Sequence, residues 1–334
     1  MGSVFFDSTI TDEERRARLY AGDIFIFSPT KQTRVLIDFA RQMLEKAFSP
    51  YDPRTIHEWK TPEEVAAILS TLKPEFIHHP ECKRIIPLIM RERGIDPESL
   101  YFDVPRLRSA YPSHFLSSGI AYAFHPHRDT WYSAPMCQLN WWLPIYPIEP
   151  DNLIGFFPRY FGEAVKNNSE IYNYYEWNTK HRAMAAQYVK SDPREQPKPQ
   201  QELEPVTVRF LPPPGGAIIF SGAQLHETVT NTTSVARYSI DFRTVHYGDI
   251  IARRGAPNID SRCTGTTMRD YLRASDLTHL PEEAIALYDD DTAKGERILH
   301  FGDRLLHNDA PTGPGSAAPV GGVHPREPIV PKLV

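Results

Sequence analysis

Along residues 33–48 the apolar positions Val35, Leu36, Phe39, Ala40, Met43, Leu44 and Phe48 recur at intervals of three and four. That spacing lines one face of an α-helix and predicts one here. "TPEEVAAILSTL" announces a second helix, with Thr61 as N-cap, Pro62 in the first turn and Glu64 placed to close a capping box. "ECKRIIPLIMRERG" predicts a third, ending near Gly94, with Pro87 expected to kink or break it. Residues 1–100 therefore read as a mostly helical region. From about residue 101 the period shortens. "YFDVPRLRSA", "GIAYAFHPHRD", "MCQLNWWLPIYPI", "VTVRFLP", "GGAIIFSG" and "ARYSIDFRTV" are short β-branched or aromatic runs bounded by Pro, Gly and Asn. Such a series predicts an antiparallel sandwich or barrel rather than alternating βαβ units.

Between these runs, residues 151–205 form a long, aromatic-rich connection, expected to be a functional insertion or lid. Residues 268–273 and 281–287 read as helical, which predicts a C-terminal helical cap over 251–305. Residues 306–334 are rich in Pro and Gly with little to bury, the composition of a mobile tail. The expected architecture is an α+β fold with a mainly β core over 101–250, flanked by N-terminal and C-terminal helices. No internal repeat is evident.

Composition narrows the function classes. The 334 residues are enough for one large domain, and the formal net charge of -5 leaves no basic excess for neutralising nucleic-acid phosphates. No stretch reaches the roughly 18 apolar residues of a membrane helix, and no secretory signal opens the chain. Cys82, Cys137 and Cys263 are odd in number and far apart, which supports neither a disulfide framework nor a thiolate zinc site. The expectation is a cytoplasmic protein acting on a small molecule, with no nucleic-acid or membrane partner.

The candidate chemistry starts at "FHPHRDTWY", residues 124–132, which offers His125, His127 and Asp129. In an extended segment residues two apart point the same way, so His127 and Asp129 can converge on one ion. Alone, an HxD pair is weak, because a chance match is ordinary in a chain with 13 histidines. "GGAIIFSGAQLHE" then brings His226 off the end of an apolar strand. Two neutral imidazoles and one carboxylate make a facial triad that leaves three cis positions open on Fe(II), unlike a closed zinc site. "ARYSIDFR" puts Arg237, Ser239, Asp241 and Arg243 on one face and Tyr238, Ile240 and Phe242 on the other. Arg237 either offers its fork to a ligand carboxylate beside the metal or pairs internally with Asp241 or Asp129.

HxD at His127 and Asp129, a distal His226, and RxS at Arg237 and Ser239 together resemble the Fe(II)/2-oxoglutarate-dependent oxygenases. The long intervening segment and helical first part look most like the phytanoyl-CoA dioxygenase-like branch, over about residues 119–245. The resemblance implies a double-stranded β-helix of the cupin or jelly-roll type, with His127, Asp129 and His226 as iron ligands. It further implies that Arg237, assisted by Ser239, binds the distal carboxylate of the cosubstrate 2-oxoglutarate. The reaction implied consumes O2 and releases succinate and CO2 while oxidising a small organic molecule. Family halogenases carry a small residue in place of this carboxylate, so Asp129 points to hydroxylation, desaturation or cyclisation.

Neighbouring residues extend the candidate site. Gln138 and Asn140 share a strand face and are placed either to meet the 1-carboxylate of 2-oxoglutarate or to bond to backbone. Trp131 and Tyr132 are candidates for the substrate pocket, and Arg159 for an anionic substrate or an ordinary surface site. Two other classes compete. A cupin metalloenzyme would use His125, His127 and His226 without 2-oxoglutarate, though "HRDTWYSAP" lacks the downstream Glu usual there. A catalytically silent β-helix that binds a ligand would be marked by loss of a triad member or the Arg, and neither is lost.

Overall fold

The computed structural model describes residues 2–122 and 125–289. The expected tail and the end of the expected C-terminal cap lie outside the described residues.

Three helices follow their start signals. α1 (Asp12–Tyr20) opens with a capping box between Thr11 and Glu14, α2 (Lys31–Phe48) is capped by Thr30, and α3 (Pro62–His78) carries the expected Thr61–Glu64 box. α4 (Pro80–Glu92) runs through Pro87 without a break. The proline removes one backbone donor, and the buried face of Ile85, Ile86, Ile89 and Met90 holds the turns together in the core. The helical reading of this region missed two strands, β1 (Val4–Phe6) and β2 (Ile24–Phe27). β2 is a four-residue apolar run without alternation, a pattern that period alone does not assign.

The remaining strands are β3 (Leu100–Phe102), β4 (Arg106–Ala110), β5 (Leu139–Pro144), β6 (Ile154–Phe156), β7 (Val208–Arg209), β8 (Ala217–Ser221), β9 (His226–Thr228), β10 (Arg237–His246) and β11 (Leu272–Arg273). The larger sheet runs β1-β2-β8-β5-β10-β3-β11, with β4 pairing β10 beyond β3 on the same edge. Its pairs are antiparallel except β1 with β2. The smaller sheet is β7-β6-β9, antiparallel throughout. The protein is thus a mixed α/β molecule dominated by one large, mainly antiparallel sheet.

Strand alternation divides the larger sheet into two faces. Leu139, Trp141, Leu143, Ile219, Tyr238, Ile240 and Phe242 pack with Leu36, Leu44, Leu69 and Ile86 of the helices in the main core. On the opposite face Trp142, Ile218 and Phe220 meet Ile154 and Phe156 of the smaller sheet. The space between the sheets holds the candidate site.

Two expectations need correction. Residues 268–273 are not a helix: a 3-10 turn, Thr267–Asp270, leads into β11, which pairs Leu272 with Phe102 and so covers the free edge of β3. Beyond it only the short helix α5 (Glu282–Ile285) forms in the expected cap among the described residues, β10 being followed directly by another short helix, Tyr247–Ile251. Residues 151–205 open with β6, whose Phe156 stands opposite His226. No helix of the described residues is long and apolar enough to cross a membrane. Cys82 and Cys137 are free and buried, and burial pushes both thiols up to about 12.

Candidate metal centre

His127 and His226 face each other across a single antiparallel bridge, each backbone N–H donating 2.9 Å to the other's carbonyl. This brings their rings to 4.3 Å between centroids. The expected strand through the HxD is not formed. After the bridge the chain stays extended at Arg128 (φ -110°, ψ 142°) and then turns in a 3-10 helix, Asp129–Tyr132. One extended residue is enough to keep His127 and Asp129 on the same side.

Arg128 points the other way and anchors the loop. Its guanidinium is buried and donates to the carbonyls of Ala223 (2.6 Å), Tyr160 (2.5 Å) and Glu163 (3.1 Å) and to Asp260 (3.0 Å). Trp131 donates from Nε1 to the other oxygen of Asp260 at 2.8 Å. Sequence reasoning passed over Arg128 and Asp260. The one available signal was a basic residue inside the ligand motif, where solvent exposure would be unusual.

The triad is arranged acceptor to acceptor. His127 Nδ1 lies 2.9 Å from the carbonyl of His125, and His226 Nδ1 lies 3.0 Å from that of Gln224. A carbonyl only accepts, so each Nδ1 carries the proton and each Nε2 presents its lone pair. Asp129 Oδ1 is 3.5 Å from Nε2 of His127 and 3.9 Å from Nε2 of His226. One ligand atom from each of the three buried residues falls within 4.8 Å of the others. A cation satisfies such a convergence. Burial, then the neighbouring His127, lowers His226 to about 4, so the imidazole is neutral at ordinary pH. Burial alone would raise Asp129, but the Arg243 guanidinium holds its carboxyl well below the usual carboxylate range.

Gln138 and Asn140 both reach this centre. Gln138 Nε2 donates to Asp129 Oδ2 and to Asn140 Oδ1, each at 2.9 Å, while its Oε1 accepts from the Tyr271 hydroxyl at 2.8 Å. The amide of Gln138 is therefore fully engaged by protein. Asn140 has its carbonyl side occupied, which turns its Nδ2 donors elsewhere. Arg243 also reaches Asp129 Oδ2, at 3.3 Å.

Arg237 and Ser239 are buried on the same face of β10. The Nε of Arg237 and the Oγ of Ser239 have no hydrogen-bond partner among the described residues. The guanidinium carbon lies 5.5 Å over the Trp142 ring. The internal ion pair with Asp241 is not made; Asp241 is taken by Arg108 at 2.6 Å and Arg243 at 3.4 Å. Burial lowers Arg237 to about 10, with Asp241 opposing and Arg108 adding to the shift. A buried guanidinium and hydroxyl left short of acceptors form a cradle that an anion completes.

The outer candidates separate. Tyr132 stands edge-on to His127 at 5.5 Å and borders the triad. Trp131 is fully buried with Phe157, Tyr160, Val165 and Leu225, so it packs the loop from behind. Arg159 has a side chain 55% exposed, paired with Glu163 and Glu204. It lines a surface cleft of about 730 Å³ that none of the triad residues lines. His125 is engaged at both ring nitrogens, by the Tyr122 hydroxyl and the Pro197 carbonyl at 2.8 Å each, and is outside the triad. That arrangement removes the main support for a three-His site.

No protein-family model and no curated protein matches this chain. Among solved structures it is similar to EvdO2 from Micromonospora carbonacea var. aurantiaca, at 14% identity over 74% of this chain and 94% of that chain, with a TM-score of 0.38. For EvdO2 complexed with 2-oxoglutarate the values are 14%, 72%, 92% and 0.40. For the epimerase SnoN in complex with Fe3+, alpha ketoglutarate and nogalamycin RO they are 14%, 86%, 92% and 0.36. Likenesses this distant leave function to be decided by the residues of the chain itself.

Proposed function

We propose that this chain is a non-haem Fe(II)- and 2-oxoglutarate-dependent oxygenase of small organic molecules, built on a double-stranded β-helix within residues 101–250. The observation that carries the reading is the buried convergence of two Nε2 lone pairs and one carboxylate oxygen, with both imidazole tautomers fixed by backbone carbonyls. The strand order supports the fold: β4, β10, β5 and β8 form one sheet and face β7, β6, β9 and the His127 bridge.

Nε2 of His127, Nε2 of His226 and Oδ1 of Asp129 would hold the metal, leaving three cis positions. The Arg237 guanidinium and Ser239 hydroxyl, unsatisfied and buried, would take the distal carboxylate of 2-oxoglutarate. Asn140 is better placed than Gln138 for the 1-carboxylate, because both Nε2 protons of Gln138 are committed. Gln138 instead orients Asp129 and Asn140. Bound iron and 2-oxoglutarate would supply an oxidant from O2, with release of succinate and CO2. The protein's share is to orient the ligands, keep His226 neutral and exclude water. With Asp129 present as a ligand, hydroxylation, desaturation or cyclisation is the expected outcome. Tyr132, edge-on to His127, would form part of the substrate wall.

The test is anaerobic addition of Fe(II) and 2-oxoglutarate to metal-free protein. A weak visible charge-transfer band is expected for wild type and not for His226→Ala, followed by succinate when air is admitted. A colourless wild-type mixture that yields no succinate would sink the proposal.

A further inference from the structure

The two oxygens of Asp129 have different surroundings. Oδ1 faces the two imidazoles, 3.5 Å and 3.9 Å from their Nε2 atoms. Oδ2 receives Gln138 Nε2 at 2.9 Å and Arg243 Nε at 3.3 Å. Arg243 is itself tied in place. Its Nη1 lies 3.4 Å from Asp241 and 3.6 Å from Asp103, and its backbone N–H donates to Asp103 at 2.7 Å. A single guanidinium thus spans carboxylates from the metal loop, from its own strand and from the β3–β4 connection.

Neutralising Asp241 and Asp103 does not account for this placement. Asp241 already has Arg108 at 2.6 Å, and Asp103 already has Arg106 at 2.5 Å. The carboxylate for which Arg243 is the arginine partner is Asp129. We infer that Arg243 is a positioning residue of the metal centre: with Gln138 it occupies Oδ2 of Asp129, so that the carboxylate offers the metal Oδ1 alone. This rests on the metal reading above and adds to it how the carboxylate binds. A carboxylate that swung to chelate through both oxygens would take a further position, one of the three that a bidentate cosubstrate and dioxygen require. The planar fork of arginine suits the task, since it meets several acceptors in fixed directions.

The test uses Co(II) titration of the metal-free full chain, with no cosubstrate and no turnover. Arg243→Met is expected to weaken Co(II) binding about 10- to 100-fold and to alter the visible absorption of the bound ion. Arg243→Lys keeps the charge facing Asp103 and Asp241 but has no fork, so it is expected to restore the melting temperature without restoring the spectrum. Gln138→Leu, which removes the other donor to Oδ2, is expected to shift the spectrum in the same direction. Should Arg243→Met fail to fold, Arg243→Lys decides. A folded Arg243→Lys or Arg243→Met protein with wild-type Co(II) affinity and spectrum would overturn the assignment. A wild-type protein that takes up no Co(II) would overturn the centre as well, which separates the two failures.

Discussion

At the residue scale, the role proposed for Arg237 sets function against stability. Its guanidinium is enclosed without a paired carboxylate among the described residues, and burial acts against its charge. Replacing it with an apolar residue of similar length removes that cost, so metal-free Arg237→Met is expected to melt at the wild-type temperature or a few degrees above it. The same variant loses charge-assisted hydrogen bonds worth about 1.5–3 kcal/mol, and its 2-oxoglutarate affinity should fall by roughly 10- to 100-fold. Calorimetric titration together with a melting curve measures both; unchanged affinity would remove Arg237 from the cosubstrate site. His226 gives the pH counterpart. In the folded protein it is lowered to about 4 from 6.5, so between those values the unfolded chain binds a proton that the folded chain does not. Folding stability therefore rises with pH across that window and is lost as pH falls through it. The metal-free wild type should lose melting temperature between pH 6.5 and pH 4 more steeply than His226→Gln, and equal slopes would contradict a neutral buried imidazole.

At the scale of elements, β10 does two jobs because its faces differ. Tyr238, Ile240 and Phe242 are embedded in the main core, while Arg237, Ser239, Asp241 and Arg243 face the space between the sheets. A slip of one residue would drive arginines among the helices, so the register is strongly held. Pairing with β4 and β5 on either side holds it further, Asp241 standing opposite both Arg106 and Trp142. The helices beneath depend on their termini. At the start of α3 the Thr61 hydroxyl accepts from the Glu64 N–H at 3.3 Å, and the Glu64 carboxylate accepts from the Thr61 N–H at 2.9 Å. Thr61→Ala breaks the first of these bonds, and urea unfolding should show a loss of about 1 kcal/mol. Thr61 and Glu64 bond to each other and to Lys60 and not to the proposed metal ligands, so Co(II) affinity should not change.

At the scale of the whole molecule, the N-terminal region is part of the core and not an appendage. α2, α3 and α4 cover the outer face of the larger sheet, and β2 extends that sheet by pairing Phe25 with Ile219. The carbonyl of Pro53 accepts from the Tyr238 hydroxyl at 3.0 Å, and that of Arg54 from the Ala236 N–H at 2.7 Å, beside the start of the strand that carries Arg237. A chain beginning at residue 100 would expose Trp141, Tyr238, Ile240 and Phe242 together. We expect it to be insoluble or to lack a cooperative melting transition; a soluble fragment with a sharp transition would show the two regions to be independent.

What could be read from the chain alone was whatever depends on spacing. The helical faces, the Thr61 cap and the alternation of β10 follow from the periods of helix and strand and from local start signals, whereas His226 is joined to His127 and Asp129 only through the resemblance carried by the combined motifs. Tertiary structure decided the rest, because those contacts join residues far apart in the chain whose meeting depends on strand register. Arg128 meets Asp260 across 132 positions, Tyr271 meets Gln138 across 133, and Arg243 meets Asp129 across 114. β2 and β11 are strands because a sheet edge was there to pair with, and neither short run carries enough alternation to say so. Spacing determined which side chains can share a face; the register of distant strands determined which of them touch, and so how the carboxylate of Asp129 is held.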